Sequence, residues 1–114
     1  ITHHGHHIRE NKDGNQETDR QMKILHDYIS ALDCPVILTG DFNLHPKSKS
    51  LKSLNKSLRN LSVEYGLKTT RNELTSKKEV CDYIFVSKNI KVLSFKMSDK
   101  IVSDHQALIL EFNL

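Results

Sequence analysis

Pro35-Val36-Ile37-Leu38-Thr39-Gly40-Asp41-Phe42-Asn43 is the stretch on which the fold turns. Its apolar start is strand-sized, which predicts a short buried strand over 36–39. Gly40 then lets the backbone turn sharply as it leaves the sheet. Side chains alternate in extended chain, so Asp41 and Asn43 are expected to project to one side while Phe42 points back to the core. A carboxylate and an amide would thus converge at the carboxyl end of a strand, where open α/β sheets place their ligands. An Asx-turn that merely ends the strand fits the same residues. This motif alone leaves both readings open.

Upstream, residues 1–7 read as the end of a strand running into a loop, and the polar stretch 10–15 continues that loop. Met22, Leu25, Ile29 and Leu32 fall at helical spacing and predict a helix over 16–32, capped by Thr18 or Asn15 and stopped before Pro35. Downstream, Leu51, Leu54, Leu58 and Leu61 predict a second helix over 50–61. A polar loop over 68–78 follows, then three strands over 80–86, 90–97 and 107–112. The order predicts an α/β fold, one mixed sheet covered by helices on one face.

At 114 residues the chain holds one domain, and 37% hydrophobic with 27% charged residues is a globular balance. No apolar run approaches the roughly 20 residues of a membrane helix, so no membrane span is expected. Position 1 is Ile with no basic-then-apolar leader before it, so processing or a longer parent chain is expected. Cys34 and Cys81 are too few for a disulfide scaffold, so reduced thiols and a cytoplasmic location are the expectation, although cysteines on neighbouring strands could still pair. The net charge of +3 is too mild to announce nucleic-acid binding. The basic residues are clustered, however: Lys47, Lys49, Lys52, Lys56 and Arg59 lie between Phe42 and Val63 with no acid among them. They read either as a solvated helix face or as a phosphate-attracting rim.

A second constellation changes the balance. Ser103-Asp104-His105 lies in a loop before the last strand, and Asp82 opens the strand Cys81-Asp82-Tyr83-Ile84-Phe85-Val86. An acid among apolar residues is costly without a partner. A histidine within reach of such a carboxylate is a tuned acid–base unit whose partner fixes its tautomer.

Together, the 35–43 stretch, the 81–86 strand and Val102-Ser103-Asp104-His105 resemble the three C-terminal signature blocks of the endonuclease/exonuclease/phosphatase superfamily. Arg20-Gln21 in the first helix adds to the likeness. The resemblance implies the C-terminal half of a DNase I-like four-layer α/β sandwich, with the N-terminal half of the domain, including an early Asn and a metal-binding Glu, not among these residues. It also implies a metal-dependent hydrolase of phosphoester bonds using Mg²⁺ or Mn²⁺, with DNA and RNA among the substrate classes. In that scheme Asp41 orients or deprotonates the attacking water and Asn43 holds the nucleophile and phosphate oxygens. Asp104 helps bind the metal, while His105, paired with Asp82, donates to the scissile phosphate. Thr2-His3 matches an upstream phosphate-contacting histidine, with His4 next. In the 64–79 loop, where substrate selectivity would lie, Arg71 within Thr69-Thr70-Arg71-Asn72 reads as a phosphate contact or as part of a solvated turn.

His3, His4, His6 and His7 around Gly5 could bind zinc, but no Cys–His spacing supports a structural site. Residues 11–15 have the wrong glycine position for a calcium loop. One sheet without its partner would leave an apolar face uncovered, so partial stability or self-association is expected. The alternative is a non-catalytic nucleic-acid-binding or interaction module, supported by the basic stretch. It gives no reason for Asp41, Asn43, Asp82, Asp104 and His105 to occur together.

Overall fold

The computed structural model describes residues 1–9 and 12–114. Part of the expected 10–15 loop, Glu10 and Asn11, lies outside the described residues, and with it the first position of the rejected calcium loop. Strand β1 (Thr2–His4) leads to helix α1 (Gln16–Ser30) and strand β2 (Ile37–Asp41). A 3₁₀ turn (Lys49–Leu51), helix α2 (Lys52–Ser57), strand β3 (Arg59–Asn60) and helix α3 (Leu61–Glu64) follow. Strands β4 (Asp82–Val86), β5 (Lys91–Met97) and β6 (Leu108–Asn113) complete the chain.

The two candidate caps of α1 act together. Asn15 Oδ1 accepts the Thr18 N–H at 3.0 Å while the Thr18 hydroxyl accepts the Asn15 N–H at 2.7 Å, a reciprocal box that satisfies two otherwise orphaned donors. The second predicted helix is broken in two. Leu58 leaves α2 in extended conformation (φ −120°, ψ 158°), and Arg59–Asn60 pair with Val86 and Phe85 of β4. Asn60 then caps α3 by accepting the Val63 N–H at 3.3 Å. The leucine spacing still buries Leu51, Leu54, Leu58 and Leu61. Periodicity therefore located the apolar residues correctly but could not see that an unsatisfied sheet edge would recruit two residues from the run.

The expected single sheet is divided. A mixed four-stranded sheet has the order β1-β2-β4-β3, with β1 parallel to β2 and the other pairs antiparallel, while β5 and β6 pair with each other as a separate antiparallel ribbon. Alternation along β4 separates two cores. Tyr83 and Phe85 face the helices with Met22, Ile29, Leu38, Phe42, Leu51 and Leu54. Ile84 and Val86 face the ribbon and α3 with Leu61, Ile90 and Phe95. The Tyr83 hydroxyl, buried in the first core, donates to the carbonyls of Leu44 and Val80. No helix among the described residues is long and apolar enough to cross a membrane. Cys34 and Cys81 are free thiols, so the pairing left open by the sequence does not form.

Candidate functional site

The β2–β4 register places Asp41 directly opposite Asp82, on the sheet face turned away from the main helical layer. Two features bring the backbone there. Gly40 has φ +145°, and a Cβ on it would sit 1.8 Å from the His3 carbonyl oxygen, so only glycine lets β1 pair this closely. Gly5 is equally constrained, because a Cβ there would meet the Phe42 carbonyl oxygen at 2.1 Å.

Asp82 is held by the 69–72 loop. The buried Thr70 hydroxyl donates to Asp82 Oδ2 at 2.5 Å and accepts the N–H groups of Cys81 and Asp82. His105 Nδ1 lies 2.9 and 3.0 Å from the two Asp82 oxygens. Arg71 Nη1 donates to His105 Nε2 and, at 3.3 Å, to Asp104 Oδ2. Because a guanidinium carries donors only, Nε2 accepts and Nδ1 holds the proton that it donates to Asp82. Nε2 also lies 3.7 Å from Asp41 Oδ2. Arg71 is 6% exposed, and its Nε has no partner among the described residues. The two loops are stapled by Gln106 N–H to the Thr70 carbonyl and by Asn72 Nδ2 to the Ser103 carbonyl. The 69–72 segment is therefore a built wall of the site and not a solvated turn.

At the end of β2 the Asx-turn forms and uses one oxygen of the Asp41 carboxylate. Asp41 Oδ1 accepts the Asn43 N–H at 2.8 Å, an Asx-turn, while Oδ2 faces the histidines. Asn43 departs from the expected alternation, since its φ is +53°. It is buried, donates from Nδ2 to the Gly5 carbonyl at 3.0 Å, and its Oδ1 accepts from Lys12 Nζ at 3.0 Å, with His7 Nδ1 at 3.3 Å. Sequence reasoning missed Lys12, which is 8% exposed and also donates to the Ile8 carbonyl. Nothing in a polar loop distinguishes a lysine that will fold inward from one that will not. The Gln21 of the Arg20-Gln21 pair accepts the His6 N–H at 3.0 Å and so ties α1 to the histidine loop.

The upstream histidines separate by strand parity. His4 pairs in register with Asp41, its Nε2 4.0 Å from Oδ2. His3 points the other way and packs edge-on against Phe42, with ring centroids 5.0 Å apart. Its Nε2 is buried without a partner among the described residues, and burial, with His4 adding to it, lowers its pKa below the usual 6.5. His4, and not the preferred His3, thus lies against the cluster. Burial pushes the Cys81 thiol up to about 11, so it stays protonated and takes no part as a thiolate.

Oxygen ligands for a hard cation are present. Asp41, Asp82 and Asp104 carry three negative charges against the single positive charge of Arg71, a formal excess of two. Ligand atoms of Asp41, Asp82 and His105 lie within 4.8 Å of one another. Asp82 has both oxygens engaged by Thr70 and His105, whereas Asp41 Oδ2 and the half-exposed Asp104 make longer contacts. Mg²⁺ needs only one or two carboxylates beside its waters, so this donor set fits it.

A family model for the endonuclease/exonuclease/phosphatase family matches residues 5–105. The chain belongs to this family. Its fold is α/β and DNase I-like. An endonuclease/exonuclease/phosphatase from Bacteroides vulgatus superposes with a TM-score of 0.75 at 18% identity, over 89% of this chain and 45% of that one. A Bacteroides thetaiotaomicron mannosyl-6-phosphatase gives 0.66 at 20% identity, over 90% and 48%. The human Nocturnin catalytic domain, with bound sulfate, gives 0.57 at 23%, over 85% and 40%. The chain thus spans less than half the length of these structures. No curated protein sequence matches it significantly.

Proposed function

We propose that this chain carries part of the active centre of a metal-dependent phosphoesterase, cleaving phosphate mono- or diesters. The observation that carries the reading is the Asp82–His105 pair, set 3.7 Å from Asp41, which lies opposite Asp82 across β2 and β4. Asp41 Oδ2, the oxygen outside the Asx-turn, would orient a water and accept its proton. His105, once protonated, would donate to a phosphate oxygen, and Asp82 on Nδ1 holds the ring and stabilises the imidazolium. Arg71 would turn from His105 Nε2 to the phosphate, since a guanidinium fork matches phosphate oxygens. His4 supplies a second donor beside Asp41. Asn43 is braced by Gly5, Lys12 and His7 and would offer its amide after a small rearrangement. Asp104 would help hold Mg²⁺ or Mn²⁺, which when bound would offset the negative charge that grows on the phosphate oxygens.

The segments that the longer family structures possess would complete this centre, so the 114-residue chain by itself is expected to hydrolyse phosphoesters negligibly. The test compares this chain with a longer protein that restores the upstream half, on one generic phosphodiester and one monoester, with Mg²⁺ and with EDTA. Turnover by the longer protein that EDTA abolishes, and that His105→Ala lowers by roughly 100- to 10,000-fold, supports the reading. Robust turnover by the short chain would show the centre to be complete already. Inactivity of a folded longer protein on both substrates would favour the binding-module reading.

A further inference from the structure

Lys49, Lys52 and Lys56 border a groove of about 670 Å³ between α1 and α2, on the helical layer and away from the catalytic cluster. The lysine that reaches the cluster's own loop is Lys12. It is 8% exposed and forms no ion pair with a carboxylate among the described residues. Lysines are seldom buried so far without a paired charge, because an ammonium loses its hydration on burial. Its Nζ donates instead to two neutral oxygens, the Ile8 carbonyl at 3.1 Å and Asn43 Oδ1 at 3.0 Å. The backbone around it is clipped in place. The His45 N–H donates to the Lys12 carbonyl at 2.9 Å, and the Ser48 hydroxyl donates to the Asp13 carbonyl at 2.5 Å.

Two contacts on the Asn43 amide fix which way it faces. An ammonium has donors only, so the atom that Lys12 meets must be the oxygen. A carbonyl has acceptors only, so the atom 3.0 Å from the Gly5 carbonyl must be the nitrogen. His7 Nδ1, 3.3 Å away, takes the second lone pair of Oδ1. With its oxygen engaged twice, Asn43 can meet an incoming group only through Nδ2, whose second hydrogen has no acceptor among the described residues. A charged donor on the oxygen also polarises the amide and strengthens its N–H as a donor. The rest of the residue is held by its left-handed backbone (φ +53°) and by the bond from its N–H to Asp41 Oδ1.

We propose that Lys12 is a positioning residue for phosphoester cleavage. It commits Asn43 to donate an N–H to a phosphate oxygen and bars it from accepting a hydrogen bond from the attacking water. The proposal rests on the phosphoesterase reading for its link to catalysis, but the state of the amide is measurable without turnover. In the longer protein that restores the upstream half, Lys12→Met keeps most of the buried stem and removes the donor. It should lower kcat roughly 10- to 100-fold, the scale of a small misplacement, with KM within about twofold of wild type. Asn43→Ala should cost more, about 100- to 1,000-fold. Because Lys12 acts through Asn43, adding Lys12→Met to Asn43→Ala should change kcat by less than about twofold. A merely structural lysine would lower kcat by the same factor in both backgrounds. That result, or wild-type kcat for Lys12→Met, overturns the proposal. The second readout is the pair of Asn43 side-chain ¹⁵N–¹H signals during titration with inorganic phosphate and Mg²⁺. In wild type one of the two Nδ2 protons should shift, and Lys12→Met should abolish the shift. A wild-type amide that ignores phosphate overturns the proposal even if Lys12→Met fails to fold. If the longer protein turns over neither phosphoester while the phosphate-dependent shift persists, the phosphoesterase reading fails and the Lys12–Asn43 assignment stands.

Discussion

Asp41 and Asp82 reach the site in a different way from Asp104 and His105. The first two stand at paired ends of β2 and β4, where backbone register fixes their separation whatever surrounds them. The second two sit on a loop outside any strand and are positioned by side chains: Arg71 on His105 and Asp104, Asn72 on Ser103, and Gln106 on the Ser98 and Lys100 carbonyls. The strand half is tied to global stability, and the loop half to a few hydrogen bonds that can fail alone.

Gly40→Ala should strike the strand half hardest. A methyl 1.8 Å from the His3 carbonyl at φ +145° forces β1 off β2. The expected loss is about 3 kcal/mol or more in urea unfolding, from combined strain and lost pairing. A variant within about 1 kcal/mol of wild type would show that β1 contributes little to holding the site.

Arg71→Met should separate the halves. It removes the guanidinium from His105 and Asp104 while keeping much of the buried volume. The Gln106 amide, which donates to the Thr70 carbonyl, should exchange roughly tenfold faster, about 1.4 kcal/mol of local stability. Amides of residues 83–85 should be unaffected. If both regions loosened equally, the comparison would fail.

The smallest effect concerns His3. Its pKa is lowered chiefly by burial, with His4 adding and Asp41 opposing, so the folded state disfavours the charged ring. The corresponding stability is fully present above the ordinary value of 6.5 and is lost as pH falls below it toward the lowered folded value. His3→Gln should therefore flatten stability against pH just below 6.5. An unchanged slope for His3→Gln would place the buried ring in a protonated, solvated state.

The elements were legible in the sequence where one physical signal dominated. Met22, Leu25 and Ile29 specified α1, and the Asn15–Thr18 box specified its start. Asp82 and His105 announced themselves because a charge beside a buried strand needs a partner, and they are 2.9 Å apart. The 50–61 run misled because helical spacing in leucine is equally served by two helices with a strand residue pair between them. Ligand choice among neighbouring histidines was illegible for the same reason: His3 and His4 differ by one step of strand parity, and a sequence does not state which face a three-residue strand presents.

The sequence by itself determined which residue types were available for chemistry, their order, and the family to which they belong, because those depend on composition and local spacing. Tertiary structure alone decided that Asp41 faces Asp82, that Arg71 is buried on His105, that Lys12 folds inward onto Asn43, and that Lys49, Lys52 and Lys56 border a groove. The first three of these join residues 41, 34 and 31 positions apart, where register and packing between elements, and not local preference, set the distance.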